Sequence, residues 1–531
     1  MPEEKSPYKG STWDAFLYFV SGFKQLMNAP RLAIPSLISN ALSSAFIWCI
    51  LTVLILLSLP LVFEMAHVLR DYRDIFSDVY MESFPEIYPD LIERFSAMGP
   101  EIVIISAICL ILISALYLLF LVLYAYVGGG SIGYLWEGIT DGITFKNFLY
   151  YGRNCVWRIL GIRILLFLLF LIYSIIFFGA VALIISALLP GHSSLYSLVI
   201  LFLVIFSFIL WLFLWFLISL PFFFVETSIV IENRGIMDSI KRSADLVIKN
   251  IWQILLFIVL STVIWLAYSL LVISLEIPLS LFSLGISPLS ALIILFFMNP
   301  WMDLAKLNFF LNITYNPVKI RDVRLELIGE YLSGSKTFVL SSPSILIDFV
   351  RGNLNYILLS TLFAGTGFSI GYLIMNQFSF LSGDITAILV DDWGKGFFGT
   401  PYTSLPFIDV FYYFFHNTNV IIALSLSGMF FVLPPLLGVS ITAGTIGMVY
   451  AVLPLHLATA AVFAHGIFEL AALLIATAAG LRFGVHVIRR DPNIDRILDD
   501  TLKVGFASLL LIAIAAFTEA FVTPVIMYMM I

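Results

Sequence analysis

Residues 160–186 read LGIRILLFLLFLIYSIIFFGAVALIIS, with Arg163 as their one charged residue. A run of this length, continuously apolar rather than alternating, is a membrane-crossing helix, because about 20 apolar residues cross the hydrocarbon of a bilayer. A transmembrane strand would alternate in polarity, and only helices and closed barrels satisfy every backbone group in lipid.

Further runs of this kind fill the chain. Eleven spans are expected, at about 42–63, 102–127, 160–189, 198–224, 251–275, 288–312, 354–375, 418–434, 436–454, 462–486 and 504–527. The fold class is therefore all-α, a polytopic transmembrane bundle. The 531 residues are 61% hydrophobic and 11% charged, against about 45–50% and about 25% in soluble domains. That excludes a cytosolic enzyme, a secreted disulfide scaffold and a disordered chain. No long basic block supports a nucleic-acid partner. The start, MPEEKSPYKGSTWD, has no apolar core before a small-residue cleavage site, so no signal peptide is expected to be removed. Cys49, Cys109 and Cys155 form no CxxC and read as packing residues.

Sidedness follows from Lys and Arg. With the N-terminus cytoplasmic, 23 of the 27 basic residues fall on the inner side or at span ends bordering it. Only Arg70, Arg73, Arg94 and Lys395 lie outside. An odd number of spans places the C-terminus outside. The localisation expected is a multi-pass protein of the cell membrane, with the lipid bilayer as its first partner.

The spans divide into six and five: a module over 1–344, with an acidic outside loop at 64–101, and a module over 345–531, with an outside loop at 376–416. The division lies in the polar stretch 316–352. There are 17 Ala in residues 1–344 and 16 in residues 440–525 alone, and small residues let helix backbones approach. Ala472, Ala476, Gly480 and Gly484 make one small-residue stripe at four-residue spacing, suited to packing within the chain or to a homo-oligomer contact. In-plane amphipathic helices are expected to feed spans. Phe145-Lys146 and Ile240-Lys241 each begin twelve residues before a Trp, Trp157 and Trp252. Residues 12–27 place Trp13, Phe16, Leu17, Val20, Phe23 and Met27 on one face. Pro300 is expected to kink span six, Asp303 and Lys306 to form a boundary pair, and Gly235 to permit the turn after Glu226 and Glu232.

Charges inside spans are rare, because each costs about 2.5–3.5 kcal/mol at the membrane centre. Span ten carries His465 and Glu469, four apart on one helix face, and span eleven carries Glu519. Span eight opens with His416, Asn417 and Asn419. These six residues form the candidate intramembrane polar cluster. Three explanations stay open: a structural hydrogen-bonded network, a proton or ion relay, or a metal site in which His and two carboxylates supply three ligands. No HExxH, nucleophile elbow or phosphate loop is present, so no catalytic residue, metal or cofactor is assigned.

The second module contains Phe415-His416-Asn417, His465-Gly466-Ile467-Phe468-Glu469-Leu470, Ala478-Ala479-Gly480-Leu481-Arg482-Phe483-Gly484 and Glu519-Ala520-Phe521-Val522-Thr523-Pro524. Through these runs residues 345–531 resemble the stage II sporulation protein M family. This chain departs from the family in having Ala464 before the His-Gly pair and Asn417-Thr418-Asn419 in place of paired Asn. The resemblance implies a five-span helical membrane domain that acts as a non-enzymatic scaffold or anchor for envelope protein partners. The alternative reading of the residues is a transporter or channel with a His/Glu relay. The segment PFFFVETSIVIENRGIMDSIKRSADLVIKN weakly resembles membrane domains found beside some glycerophosphodiester phosphodiesterases, without implying that activity, since no soluble enzyme domain accompanies it.

Overall fold

The structure is a computed structural model, and it describes residues 14–78, 99–140, 142–188, 194–280, 287–315, 327–381 and 406–530. Helices account for the described residues almost throughout, with no strand among them. Among the described residues, eleven helices are long and apolar enough to cross a membrane.

The helices are α1 Asp14–Asn28, α2 Ile34–Asp78, α3 Gly99–Thr140, α4 Phe145–Leu188, α5 Ser194–Ser219, α6 Val225–Ile231, α7 Ile236–Lys249, α8 Ile251–Ser280 and α9 Ser287–Ile293. They continue with α10 Asn299–Thr314, α11 Leu327–Gly352, α12 Leu354–Asn376, α13 Pro406–Ser427, α14 Leu433–Val452, α15 Leu455–Ile488, α16 Ile494–Phe517 and α17 Thr523–Met530. Two compact units interleave along the chain. One holds Met1–Pro35, Leu121–Trp265 and Pro300–Val323, and the other Ser36–Phe120, Leu266–Asn299 and Arg324–Ile531.

In the first unit, α1 lies against α10. Its polar and small positions make the contact: a methyl on Gly22 would press on the backbone of Ala305. Gln25 and Asn308 exchange both amide hydrogen bonds, at 3.1 and 2.8 Å, and Trp301 Nε1 donates to the carbonyl of Phe19 at 2.8 Å. The face carrying Phe16, Leu17, Phe23 and Met27 is exposed, as a helix resting in lipid requires. Trp13 lies outside the described residues.

The two Trp-anchored segments differ. Residues 145–157 run into their span as one continuous helix, α4, whereas α7 breaks from α8 at Asn250. Trp157 and Trp252 are both exposed. The turn before α7 is made by Asn233, with φ +53°, rather than by Gly235, whose φ of −70° suits any residue. Asn233 Oδ1 accepts from Arg158 at 2.8 Å, and Glu232 accepts from Ser228 and Arg242, at 2.8 and 3.2 Å. Asp303 stands exposed on α10, and the Lys306 ammonium lies 4.9 Å over the Phe223 ring.

In the second unit, α12–α16 form the C-terminal bundle. Its helices meet backbone to backbone. A methyl on Gly367 would overlap the Ser440 backbone, and one on Gly371 the Gly444 backbone, so α12 and α14 pack in mutual contact. The polar-looking stretch 327–352 is the helix α11, which buries Leu346 and Phe349 among Ile475, Ala478, Ala479, Val504 and Ala507. The boundary expected at 344/345 falls inside this helix. Span eight runs from Pro406 rather than 418 and stops at Ser427, because Pro434 and Pro435 prevent one helix from continuing to 434. Much of the stretches 64–101 and 376–416, expected as outside loops, lies outside the described residues.

A His/Glu cluster in the C-terminal bundle

α15 is a 34-residue helix, and its four-residue periodicity divides the work of its faces. Ala472, Ala476, Gly480 and Gly484 are buried against neighbouring helices of the same chain. Ala472 and Ala476 join a core with Ile421, Leu424, Val439 and Ile512. Methyls on Gly480 and Gly484 would strike the backbone carbonyls of Leu424 and Gly428. The stripe is thus consumed inside the protein.

His465 and Glu469 lie nearer the Leu455 end. At about 1.5 Å per residue, His465 is roughly 15 Å of helix from that end. Glu519 comes from the last span, where the helix widens into a π-turn over Thr518–Val522. Sequence explains the widening. Pro524 has no N–H to donate to the carbonyl of Ala520, and its ring would crowd that carbonyl in an α-helix. The Thr523 N–H reaches back five residues to the carbonyl of Thr518 instead. The Thr518 hydroxyl bonds the carbonyls of Ile514 and Ala515, at 2.9 and 2.8 Å, competing with the regular ladder. An analogous π-turn, Ile294–Met298, precedes Pro300 at the same spacing; this is the form taken by the kink expected there. Single π-turns are frequent at functional sites.

One donor atom from each of His465, Glu469 and Glu519 lies within 4.8 Å of the others. All three side chains are half-buried. Thr523, four residues after Glu519, holds the ring: His465 Nδ1 and Thr523 Oγ1 are 3.1 Å apart. A cavity of about 160 Å³ beside the cluster is lined by His465, Gly466 and Glu469 of α15 and by Thr442 and Thr445 of α14. Glu469, and Asp409 of α13, lie in electrostatic range of Glu519, and Tyr413 of α13 lies in range of both Glu519 and Asp409.

Span eight contributes differently than its opening polar residues suggest. His416 stacks on Tyr412, with ring centroids 6.0 Å apart. Asn417 is buried, and Asn419 Nδ2 donates to the carbonyls of Phe415 and Pro288, at 3.2 and 3.4 Å. His416 does not join the group of His and Glu donor atoms around His465. Asp409 and Tyr413, one helical turn apart, lie within electrostatic range of Glu519. Both fall in the stretch 376–416 expected as an outside loop; the signal for them is an acid inside the aromatic run FIDVFYYFF.

Chemically, the cluster holds two carboxylates and an imidazole close together. Two ionised carboxylates about 5 Å apart repel by about 3 kcal/mol even at an effective dielectric of about 20. The site therefore calls for protons or a cation.

Residues 110–366 match a domain of unknown function, DUF7847. That match leaves the resemblance to membrane domains beside glycerophosphodiester phosphodiesterases unshown. A segment of 77 residues, 13% of the chain, is 39% identical to the uncharacterized protein MJ0793 of Methanocaldococcus jannaschii. The chain spans 43% of that relative's length. No solved structure gives a significant match. Residues 359–524, which hold His465, Glu469 and Glu519, match the family model of Stage II sporulation protein M, so it is the C-terminal part of this integral, multi-pass membrane protein that is similar to that family.

Proposed function

We propose that the protein is a non-enzymatic scaffold or anchor in the cell membrane, holding an envelope-associated complex through a C-terminal bundle of fixed shape. The observation that carries this reading is the locking of the bundle. Gly367, Gly371, Gly428, Gly480 and Gly484 bring backbones into contact at successive crossings, where no methyl would fit. Helices packed so closely have little freedom to slide, which suits a platform. Affinity purification in mild detergent tests it. Stoichiometric envelope partners or a defined homo-oligomer are expected; a monodisperse monomer without partners overturns it. Reporter fusions at each connection test the orientation, with the N-terminus cytoplasmic and the C-terminus outside.

The His465–Glu469–Glu519 cluster favours a second reading, a cation- or proton-coupled transporter in which these residues relay charge. It expects pH-dependent flux in proteoliposomes that Glu519→Gln abolishes while the protein stays monodisperse. Absent or unchanged flux rejects it.

A further inference from the structure

We propose that His465, Glu469 and Glu519 bind a divalent first-row transition-metal ion of the Zn²⁺, Mn²⁺ or Fe²⁺ class. The site stands apart from the scaffold reading, and neither depends on the other.

Four observations converge. The three donor atoms already lie within 4.8 Å of one another, on two elements, α15 and the π-turn. Zinc bonds of about 2.0–2.1 Å would bring tetrahedral donors to roughly 3.4 Å apart, a contraction that rotation of two Glu side chains supplies. Next, one ring nitrogen already has a partner, with His465 Nδ1 3.1 Å from Thr523 Oγ1. In the tautomer that carries hydrogen on Nδ1, the Thr523 hydroxyl accepts from it and Nε2 keeps its lone pair for an ion, the outer-shell arrangement that ligating histidines use. Third, the site gathers acids: Glu469 and Asp409 both lie in electrostatic range of Glu519. Finally, three protein ligands leave a coordination position open, and the 160 Å³ cavity lined by His465 and Glu469 is large enough to supply water to it.

The donor set chooses the ion class. One imidazole with two carboxylates is softer than the all-oxygen shells of Ca²⁺ and Mg²⁺, and harder than the thiolate sets that select Cu⁺. Cys49, Cys109 and Cys155 are free thiols that do not belong to the cluster. A bound ion would join α15 to the last span at a point where the latter departs from regular helix.

The test uses the full chain in detergent, stripped with chelator and titrated calorimetrically with ZnCl₂, MnCl₂ and CaCl₂. One Zn²⁺ or Mn²⁺ per chain is expected, at least tenfold tighter than Ca²⁺. His465→Ala and Glu519→Gln should each weaken binding at least tenfold, and Thr523→Val, which removes only the partner of the ring, by about tenfold. Should a ligand variant lose its fold, nitrogen coupling in the electron spin resonance of Mn²⁺ bound to the unaltered protein reports His465 directly. Binding is overturned if the folded protein takes up no ion at millimolar concentration. It is equally overturned if Ca²⁺ binds as tightly, if Mn²⁺ shows no nitrogen ligand, or if folded His465→Ala and Glu519→Gln bind as before.

Discussion

The carbonyl oxygen of Gly480 lies directly against the α-carbon of Gly428, with no room between them for a methyl group. Backbone cannot move aside as a flexible side chain can, so the contact admits no larger residue. Gly480→Ala and Gly428→Ala should each destabilise the bundle by about 1–3 kcal/mol, the usual range for overpacking. Thermal melting followed by size-exclusion chromatography reads the loss. Gly179→Ala, with open space around its α-carbon, is the control and should not lower the melting temperature.

Arg163 meets Glu226 through two parallel bonds, at 2.7 and 3.1 Å, and also donates to the carbonyl of Tyr124 at 3.0 Å. The guanidinium carbon lies 4.5 Å from the centre of the Tyr124 ring. Arg163→Lys loses the fork and should destabilise despite keeping charge. Arg163→Ala strands a carboxylate at a site that keeps 33% of its side-chain exposure, so the expected loss is about 1–3 kcal/mol, below the range for fully buried pairs. Adding Glu226→Gln to Arg163→Ala should recover part of it, as a double-mutant cycle of melting temperatures will reveal.

Asp491 sits between α15 and α16, outside the spans. The Asn493 N–H donates to its Oδ1 at 2.8 Å, and its Oδ2 lies 2.7 Å from His486 Nδ1. These partners, the Asn493 N–H first, hold its carboxyl below the usual carboxylate range. A depressed carboxylate contributes stability that is present above its unfolded pKa and lost as pH falls through its folded one. Amide-exchange protection of the 489–494 connection should therefore drop on acidification to below about pH 4. Asp491→Asn should flatten that drop.

Arg490 ends α15 with φ +54°. The Asp491 N–H bonds the carbonyl of His486, and the Arg490 N–H that of Val487, the capping pattern in which glycine is favoured. A left-handed residue with a side chain costs about 1–2 kcal/mol. Arg490→Gly should thus raise the melting temperature. An unchanged or lower value would show that the Arg490 side chain supplies an offsetting contact.

Span number was legible in the sequence because hydrocarbon imposes a length on each apolar run, and Glu469 and Glu519 stood out because charge there is rare. Asp409 and Tyr413 did not, since hydropathy places their aromatic segment at an edge that only packing resolves. Helix α11 is hidden for a related reason: its exposed positions include Lys336, Ser344, Asp348 and Arg351, so its mean polarity masks Leu346 and Phe349. The meeting of Glu519 with His465 depends on how two helices dock, which no spacing within either run encodes.

The two π-turns each hold one residue more than an α-helix needs, and each stands at the same distance before a proline. An added residue turns everything beyond it by about 100° around the helix axis. The stripe that α16 presents to the bundle therefore does not continue in phase into α17. Shortening the segment by one residue while replacing Pro524 would bring the two halves back into step, swinging Thr523 away from His465 while barely altering the hydropathy of the span. Two chains with nearly the same hydropathy trace would then differ in whether the imidazole has a partner, so a single alignment gap within Thr518–Val522 is where relatives with and without this site should part.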